Sequence, residues 1–411
     1  MSKLVLISAA FNCGAPGIIV EQIGQMAQSA GWEVAVVHGC RHYFPSNLRT
    51  IAKSTRSDEY LHALKGILFD AHGLGSKSHT KQIVKLLENY KPDLIHLHNI
   101  HGYYINYPVL IEYLNTAKIP VVWTFHDFWP ITGHCVHFDF VGCDKWKKGC
   151  FNCQYHKEYP FSIVDRSKQN YDLKKKLFNS LENLTIVAVS DWVKSVLKDS
   201  FLGEQSINRI YNGVDTTVFS PKDSSFRHMH GINENDFMLL GVASPWSETK
   251  GIIDYFKLRG FLPPSYKIVL VGLTAKQMKT LPDGILGLER INSREELSEV
   301  YSAADVVLNL SYQETFGLTT VEGLSCGTPG IVYNRTASPE LVSSDVGLVV
   351  EAGNIEALVD AIKQVRTNGK HFYSEACRHR AIYEFDKTKC YQQYIDLYSK
   401  IVSNKAHNES L

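Results

Sequence analysis

Two short apolar runs in the second half of the chain enclose a loop and a helix. Residues 304–310 (ADVVLNL) and 329–333 (PGIVY) are rich in β-branched residues, which is typical of buried parallel strands. Between them, residues 314–322 read ETFGLTTVE and are followed by GLSCGTP. The order strand, loop, helix, strand predicts an open α/β sheet, and such sheets bind ligands outside the carboxyl ends of their strands.

The loop before this helix carries groups suited to an extended, partly anionic ligand. The N–H groups of Thr315, Phe316 and Gly317 would point out of the helix N-terminus, which favours an anion. Glu314 lies in the loop, and Glu322 would lie in the helix roughly 12 Å further along. Ionised carboxylates are strong acceptors for sugar hydroxyls. The alternative is a helix start with one solvated glutamate, because two glutamates eight positions apart also occur by chance.

This stretch resembles the E-x7-E signature of retaining, nucleotide-sugar-dependent glycosyltransferases of the GT-B fold, in family four. The resemblance implies that Glu314 binds the hydroxyls of the transferred sugar and that Glu322 binds the ribose of the nucleotide. It also implies that the donor is contacted at Thr315, Phe316, Gly317 and Leu318.

Length, charge and composition limit the classes of protein to which the chain can belong. The 411 residues suffice for two α/β domains, and the net charge of +1 gives no global field that would attract nucleic acid. No apolar run approaches the roughly 20 residues needed to cross a bilayer, and residues 4–8 (LVLIS) are more typical of a first strand than of a signal peptide. Nine cysteines without an export signal indicate reduced thiols or metal. We therefore expect a cytoplasmic protein whose membrane contact, if any, is peripheral, at the inner face of the plasma membrane.

The N-terminus predicts the start of a mononucleotide-binding half. A strand at 4–8 precedes a loop containing Gly14 and Gly17, and a helix follows at 18–30. From the residues alone, the G-x-x-G loop fits a tight turn as well as a phosphate contact. The resemblance implies that Gly14 and Gly17 approach the donor phosphate and the acceptor.

Histidines cluster at the predicted carboxyl ends of two strands. His96 and His98 share one face of a strand at 92–98, and His101 follows it. Because no carboxylate or cysteine lies near them in the sequence, the pattern favours packing or active-site lining over metal.

A second strand, 120–127, ends in His126 and Asp127. Residues 124–135 (TFHDFWPITGHC) are similar to the capsular and colanic-acid polysaccharide branch of the family. That similarity implies that His126 contacts the transferred sugar or positions the acceptor hydroxyl. A hydrogen-bonded structural histidine is the alternative.

Four cysteines follow within nineteen residues, at Cys135, Cys143, Cys150 and Cys153. The last pair is C-x-x-C, and four thiolates in one loop suit a closed tetrahedral zinc site. Packed reduced cysteines or a redox-labile pair are the alternatives. A catalytic zinc is not expected, because the resemblance implies metal-independent transfer and therefore no cofactor for catalysis.

A basic helix is predicted at 165–183. It carries Lys168, Lys174, Lys175 and Lys176 beside leucines spaced every four residues. Such a helix could lie on an anionic membrane surface. The alternative, an ordinary solvated face over a packed one, is favoured.

Residues 211–221 (YNGVDTTVFSP) resemble the linker between the two domains of the family. We therefore place the N-terminal domain at 1–215, the nucleotide-sugar domain at 216–384, and a C-terminal helix at 385–411 that crosses back to the first domain.

Lys250, near a helix start, would meet the diphosphate of the donor. Gly272 and Ile291, at two strand ends, would hold the nucleobase largely through their backbone. Relatives carry an arginine six residues before the lysine, but this chain has Ser244 there. Arg335 is the candidate replacement by chain position, although such an arginine is more often a solvated loop residue.

These features together predict two doubly wound Rossmann-like domains facing a cleft. The resemblance implies a retaining, metal-independent hexosyltransferase that uses a nucleotide-diphosphate sugar and a lipid-linked saccharide acceptor. Its product would be a bacterial capsule, exopolysaccharide or O-antigen unit. A nucleotide-sugar epimerase of the same fold and a silent sugar-nucleotide-binding subunit are the alternatives.

Overall fold

The computed structural model describes residues 1–291 and 293–409. The chain forms two compact units, one comprising Met1–Tyr211 with Tyr391–Leu411 and the other Asn212–Cys390. The predicted boundaries, after residues 215 and 384, lie a few residues from these divisions.

The first unit contains seven strands and six complete helices among its described residues, and it also holds most of the last helix of the chain. The strands are β1 (Lys3–Phe11), β2 (Glu33–Tyr43), β3 (Arg49–Lys53), β4 (Leu94–Leu97), β5 (Val121–Phe125), β6 (Leu184–Ala188) and β7 (Ser206–Arg209). The helices are α1 (Gly14–Ser29), α2 (Arg56–Phe69), α3 (Lys77–Tyr90), α4 (Tyr107–Ala117), α5 (Ser167–Phe178) and α6 (Asp191–Lys198).

The second unit contains six strands and seven helices among its described residues. The helices are α7 (Phe226–Met229), α8 (Ile252–Phe261), α9 (Ala275–Met278), α10 (Arg294–Ala303), α11 (Leu318–Ser325), α12 (Ile355–Asn368) and α13 (Lys370–Glu384). The strands are β8 (Phe237–Val242), β9 (Tyr266–Val271), β10 (Ile285–Leu288), β11 (Val306–Asn309), β12 (Gly330–Tyr333) and β13 (Gly347–Val350). The last helix of the chain, α14, spans Lys387–Glu409.

Both sheets are parallel, and both are doubly wound. The strand order is β3-β2-β1-β4-β5-β6-β7 in the first unit and β10-β9-β8-β11-β12-β13 in the second. In each sheet the first strand of the unit pairs with the second on one side and with the fourth on the other, so the order reverses there, as in dinucleotide-binding folds. The prediction of two doubly wound Rossmann-like domains is confirmed.

The central strands are apolar runs because helices cover both faces of each sheet. Residues 4–7 of β1 and all of β4, β5, β11 and β12 are buried. The last helix contributes to the core of the first unit, where the Tyr398 hydroxyl lies 2.6 Å from His96 Nδ1. Within the described part of the chain, none of the helices is both long and apolar enough to cross a bilayer.

Candidate active site

Glu314 and Lys250 form an ion pair at the carboxyl edge of the second sheet. Glu314 lies in the loop between β11 and α11, and Lys250 ends a short 3-10 turn before α8. Lys250 Nζ donates to Glu314 Oε1 at 2.6 Å, although 64 residues separate them in the sequence. The side chains are 31% and 16% exposed, so the pair is screened from water but still reachable by a ligand.

Backbone contacts hold three loops around this pair. The Tyr312 N–H donates to the Thr249 carbonyl at 2.9 Å, which ties the loop after β11 to the Lys250 turn. The Glu314 N–H donates to Thr336 Oγ1 at 2.9 Å, and the Ala337 N–H donates to the Glu314 carbonyl at 3.2 Å. The loop after β12, which carries Arg335, therefore lies directly against the Glu314 loop. Arg335 is half-buried there.

The α11 N-terminus begins next to Glu314. Gly317 precedes the helix with φ at +107°, a conformation that favours glycine. Phe316 is buried, and its ring packs 5.8 Å from that of Phe385, so its side chain fixes the loop. Thr315 and Leu318 are half-buried. Helix α11 starts at Leu318, so Thr315, Phe316 and Gly317, whose N–H groups were predicted to form its N-terminus, lie just before the helix. Within the first turn, the Thr320 N–H donates to the Gly317 carbonyl at 3.1 Å.

Glu322 lies in α11 and faces Tyr301 of α10. The Tyr301 hydroxyl donates to Glu322 Oε2 at 2.9 Å. Burial raises the pKa of Glu322 to about 7, while the Tyr301 hydrogen bond and nearby Arg294 oppose the rise. The carboxyl group is thus poised to change charge near neutral pH. Glu322 lies on the helix whose first residue, Leu318, closely follows Glu314 in the chain.

Gly272 lies in a strand–helix turn, but the prediction of a loop around Gly14 and Gly17 was wrong, because α1 starts at Gly14 and both glycines lie in its first turn. Gly272 follows β9 with φ at +97°, and an added Cβ would lie 2.0 Å from the Ala243 carbonyl oxygen. Gly14 opens α1 with φ at +63°. A Cβ on Gly17 would meet the backbone of β1 at 3.1 Å, so Gly17 permits close helix–strand packing. Ile291 is half-buried just beyond β10, and its neighbour Asn292 lies outside the described residues.

In the first unit, His126 follows β5 and stacks on His98. The two rings lie 5.3 Å apart at 13°, with His126 Nε2 at 3.0 Å from His98 Nδ1. Burial lowers the pKa of His126 to about 4, an effect that Asp127 opposes. His126 is therefore neutral at neutral pH. His96 shares the face with His98, as predicted, and its Nε2 lies 2.8 Å from Thr124 Oγ1 in the core.

Asp127 contacts His101, a pairing that the sequence pattern did not predict. His101 Nε2 lies 2.7 Å from Asp127 Oδ2, and Asn99 Nδ2 donates to the same oxygen at 2.7 Å. Burial alone would raise the pKa of Asp127, but His101 holds it at about 2. The expectation that no carboxylate accompanies these histidines was wrong, because β4 and β5 are neighbours in the sheet. Their carboxyl ends bring residues 99–101 and 127 together.

The four cysteines of the 135–153 loop line one small cavity of about 20 Å³, enough for about one water-sized species. The Gly133 N–H donates to Cys150 Sγ at 3.2 Å, which resembles the outer-shell support of a metal ligand. Four sulfur donors suit Zn²⁺. Nevertheless, in residues 1–291 and 293–409 no three His, Cys, Asp or Glu side chains are arranged to hold a metal ion. Zinc at Cys135, Cys143, Cys150 and Cys153 therefore stays a prediction.

The basic helix at 165–183 is shorter than predicted and is not a continuous basic face. It spans Ser167–Phe178, and Lys174 points inward. Lys174 Nζ donates to the carbonyls of Trp129 and Thr132 at 2.7 and 3.0 Å and lies 3.4 Å from the Trp129 ring centroid. The expectation that Lys174 faces a membrane or solvent was therefore wrong. It satisfies carbonyl groups in the core instead.

Comparison with known proteins identifies the family of the chain. A family model described as Glycosyltransferase Family 4 matches residues 17–218, and one described as Glycosyl transferases group 1 matches residues 223–382. The chain belongs to glycosyltransferase family four.

Two curated relatives of this glycosyltransferase come from Escherichia coli. The putative colanic acid biosynthesis glycosyl transferase WcaC of strain K12 is 24% identical over 280 residues, covering 66% of this chain and 67% of the relative. The UDP-Gal:alpha-D-GlcNAc-diphosphoundecaprenol alpha-1,3-galactosyltransferase is 23% identical over 273 residues, covering 62% and 70%.

Solved structures share the fold of this glycosyltransferase across nearly its whole length. Anabaena Alr3699/HepE in complex with UDP-glucose superposes with a TM-score of 0.68 at 17% identity, over 97% of this chain and 100% of the other. Sucrose-phosphate synthase from Thermosynechococcus elongatus gives 0.68 at 18% identity, over 98% and 100%. The GT-B fold predicted from the sequence is confirmed.

Proposed function

We propose that this glycosyltransferase moves a hexosyl group from a nucleotide-diphosphate sugar to a lipid-linked saccharide, with retention of configuration and without a catalytic metal. The product would be a unit of a bacterial capsule, exopolysaccharide or O-antigen. Two relatives support the pathway, since one is named for colanic acid biosynthesis and another for transfer to a diphosphoundecaprenol-linked sugar. Structural neighbours bound to UDP and UDP-glucose support the donor class.

The observation that carries the proposal is the Lys250–Glu314 ion pair beside the α11 N-terminus. The two opposite charges lie 2.6 Å apart. A donor supplies better partners for both groups, because its diphosphate attracts Lys250 and its sugar hydroxyls can donate to Glu314. Donor binding would thus replace one ion pair by two sets of charge-assisted contacts.

Positive charge at the leaving group is the main electrostatic need of this reaction, because the diphosphate gains charge as the glycosidic bond breaks. Lys250 supplies one charge, and the helix N-terminus supplies the equivalent of about half a charge. Arg335, in the loop bonded to Glu314, is the nearby cation that would complete the set. Together these groups would take the place of a divalent metal.

The remaining predicted groups have roles that follow from their own environments. Glu322, supported by the Tyr301 hydroxyl, would accept hydrogen bonds from the ribose. His126, neutral and stacked on His98, would contact the transferred sugar or position the acceptor hydroxyl. In retaining transfer the departing phosphate would accept the proton of the attacking hydroxyl on the same face, so no protein base would be required.

A panel of nucleotide sugars tests this proposal. The purified chain is incubated with each donor, and nucleoside diphosphate release and any isomerised sugar nucleotide are measured. We expect slow hydrolysis of one donor, which a saccharide acceptor accelerates. Conversion of a free nucleotide sugar to its epimer would favour the epimerase alternative. Binding of a donor without any turnover would identify a silent subunit.

A further inference from the structure

Helix α2 turns its apolar side towards solvent. Tyr60 and Leu61 are 60% and 63% exposed, and Leu64, Leu68 and Phe69 continue the exposed stripe at helical spacing. The buried side is polar by comparison and consists of Glu59, His62 and Gly66. A surface helix ordinarily shows the opposite arrangement.

Hydrogen bonds on the buried side fix this orientation. Glu59 Oε1 accepts from the Cys40 N–H at 2.5 Å and from the Ser54 hydroxyl. His62 Nε2 accepts from the N–H groups of Gly73 and Gly75, both at 3.0 Å. Turning the leucines inward would break these bonds and leave buried polar groups unpaired, which is costly. The exposed apolar side is therefore a stable property of the first unit.

A neighbouring loop extends the exposed apolar surface. The Ile163 N–H donates to the Ile67 carbonyl at 2.9 Å, and the Arg166 N–H donates to Asp70 Oδ2 at 2.9 Å, so this loop runs along the C-terminal end of α2. Phe161, Ile163 and Val164 are exposed on it. The exposed side of α2 and the exposed residues of the 157–166 segment are here called the α2 surface.

Cations are interleaved with these apolar side chains. Lys65 lies on the exposed side of α2 between the leucines, and Arg166 follows the loop. Of the exposed charged side chains on α2 and residues 157–166, four are cationic and two are anionic: Arg56, Lys65, Lys157 and Arg166 against Glu158 and Asp165. Both oxygens of Asp165 already accept backbone N–H groups. The surface thus presents apolar groups, aromatic rings and net positive charge together.

We propose that the α2 surface docks on an anionic lipid bilayer. Leucine and aromatic side chains beside lysines are the composition of helices that lie in the membrane interface, where apolar groups enter the acyl boundary and cations meet lipid phosphates. This inference rests on the proposed function, because a lipid-linked acceptor is presented at such a surface. It differs from the basic helix at Ser167–Phe178, whose exposed side is polar and whose Lys174 is buried.

Vesicle co-sedimentation of the full chain tests the proposal. The probes are vesicles of phosphatidylcholine alone and vesicles of equal parts phosphatidylcholine and phosphatidylglycerol. The test variant replaces Leu61 and Leu64 by glutamine, which keeps helix propensity and removes the apolar groups. Lys65→Glu is a second variant that reverses one charge. Phe372→Gln is the matched control, because Phe372 is 63% exposed on a helix of the second unit.

We expect wild type and Phe372→Gln to bind the anionic vesicles equally. For both proteins, binding should weaken when the salt concentration is raised or phosphatidylglycerol is omitted. The double glutamine variant should bind at least about tenfold more weakly, which is a loss of about 1.4 kcal/mol. Equal binding by the double variant, or no binding by wild type, would overturn the proposal. A wild-type dimer that the double variant converts to a monomer would show instead that the α2 surface joins two copies.

The same preparations separate this inference from the proposed function. Transfer to a water-soluble acceptor analogue, without vesicles, should proceed at the wild-type rate in the double variant, since the α2 surface lies outside the candidate active site. Failure of every preparation to transfer would count against the proposed function, while the vesicle result would still decide whether the α2 surface binds lipid.

Discussion

Glu322 should make the stability of the second unit depend on pH. Burial raises its pKa from 4.5 to about 7 in the folded chain. The folded state therefore holds the proton more tightly than the unfolded state, and stability falls as pH rises from the unfolded pKa to the folded one. The full loss is about 3 kcal/mol, at about 1.4 kcal/mol for each unit of pKa difference. Above about pH 7, Glu322 is ionised in both the folded and the unfolded state, so its contribution to stability no longer changes with pH.

Between about pH 5.5 and pH 8.5, the same linkage relation gives a loss of about 2 kcal/mol. Glu322→Gln removes the titration and keeps an acceptor for the Tyr301 hydroxyl. Relative to this variant, the unfolding midpoint of the second unit in wild type should therefore fall by about 4–8 °C over that interval. Calorimetry of both proteins at both pH values measures the difference.

Two controls sharpen the experiment. Tyr301→Phe removes a hydrogen bond that lowers the pKa of Glu322, so the stability of this variant should keep falling to a higher pH than in wild type and reach a larger total loss. Glu375→Gln changes an exposed glutamate on α13 and should leave the wild-type pH dependence intact. Identical pH dependence in wild type and Glu322→Gln would refute the reasoning, because the carboxyl group would then titrate alike in both states.

Three further outcomes follow from the site. Glu314→Gln should lower turnover by about tenfold to a hundredfold and leave the affinity for the nucleoside diphosphate nearly unchanged. Glu322→Gln should instead lower the affinity for the nucleotide. An equal loss of affinity in both variants would contradict the assignment of Glu314 to the sugar. Lys250→Ala should lower activity by at least about a hundredfold, roughly 2.7 kcal/mol, whereas a larger loss in Arg335→Ala would assign the phosphate role to Arg335. If the cysteines bind zinc, elemental analysis should find about one metal per chain and Cys150→Ser should lower thermal stability; metal-free protein with reactive thiols would end that idea.

Local patterns predicted the parts of the fold that depend on local sequence. The apolar runs around residues 304–310 and 329–333 became β11 and β12, because strands buried on both faces must be continuously apolar. A local cap also fixes the start of α6, where the Ser190 hydroxyl accepts from the Val193 N–H at 3.1 Å. Strand and helix ends were less well placed, since tertiary contacts decide how far each element extends.

Contacts between distant segments could not be predicted. His101 and Asp127 meet because their strands are neighbours in the sheet, which no local pattern reveals. Lys250 and Glu314 were each predicted at the site, but their ion pair depends on loops joined by backbone bonds. Lys174 is buried, although most lysines face water, because two carbonyl groups and an aromatic ring contact its ammonium group. Helix α2 exposes its apolar side chains, because hydrogen bonds hold its polar side chains on the buried side.

The configuration of the product tests the central claim most directly. The donor identified by the nucleotide-sugar panel is incubated with the chain and a lipid-linked saccharide acceptor, and the anomeric configuration of the new linkage is read by NMR. We predict transfer to the acceptor with the configuration that the sugar had in the donor. An inverted linkage would contradict the retaining mechanism, and the absence of any transferred sugar would contradict the assignment of a glycosyltransferase site to Lys250, Glu314 and Glu322.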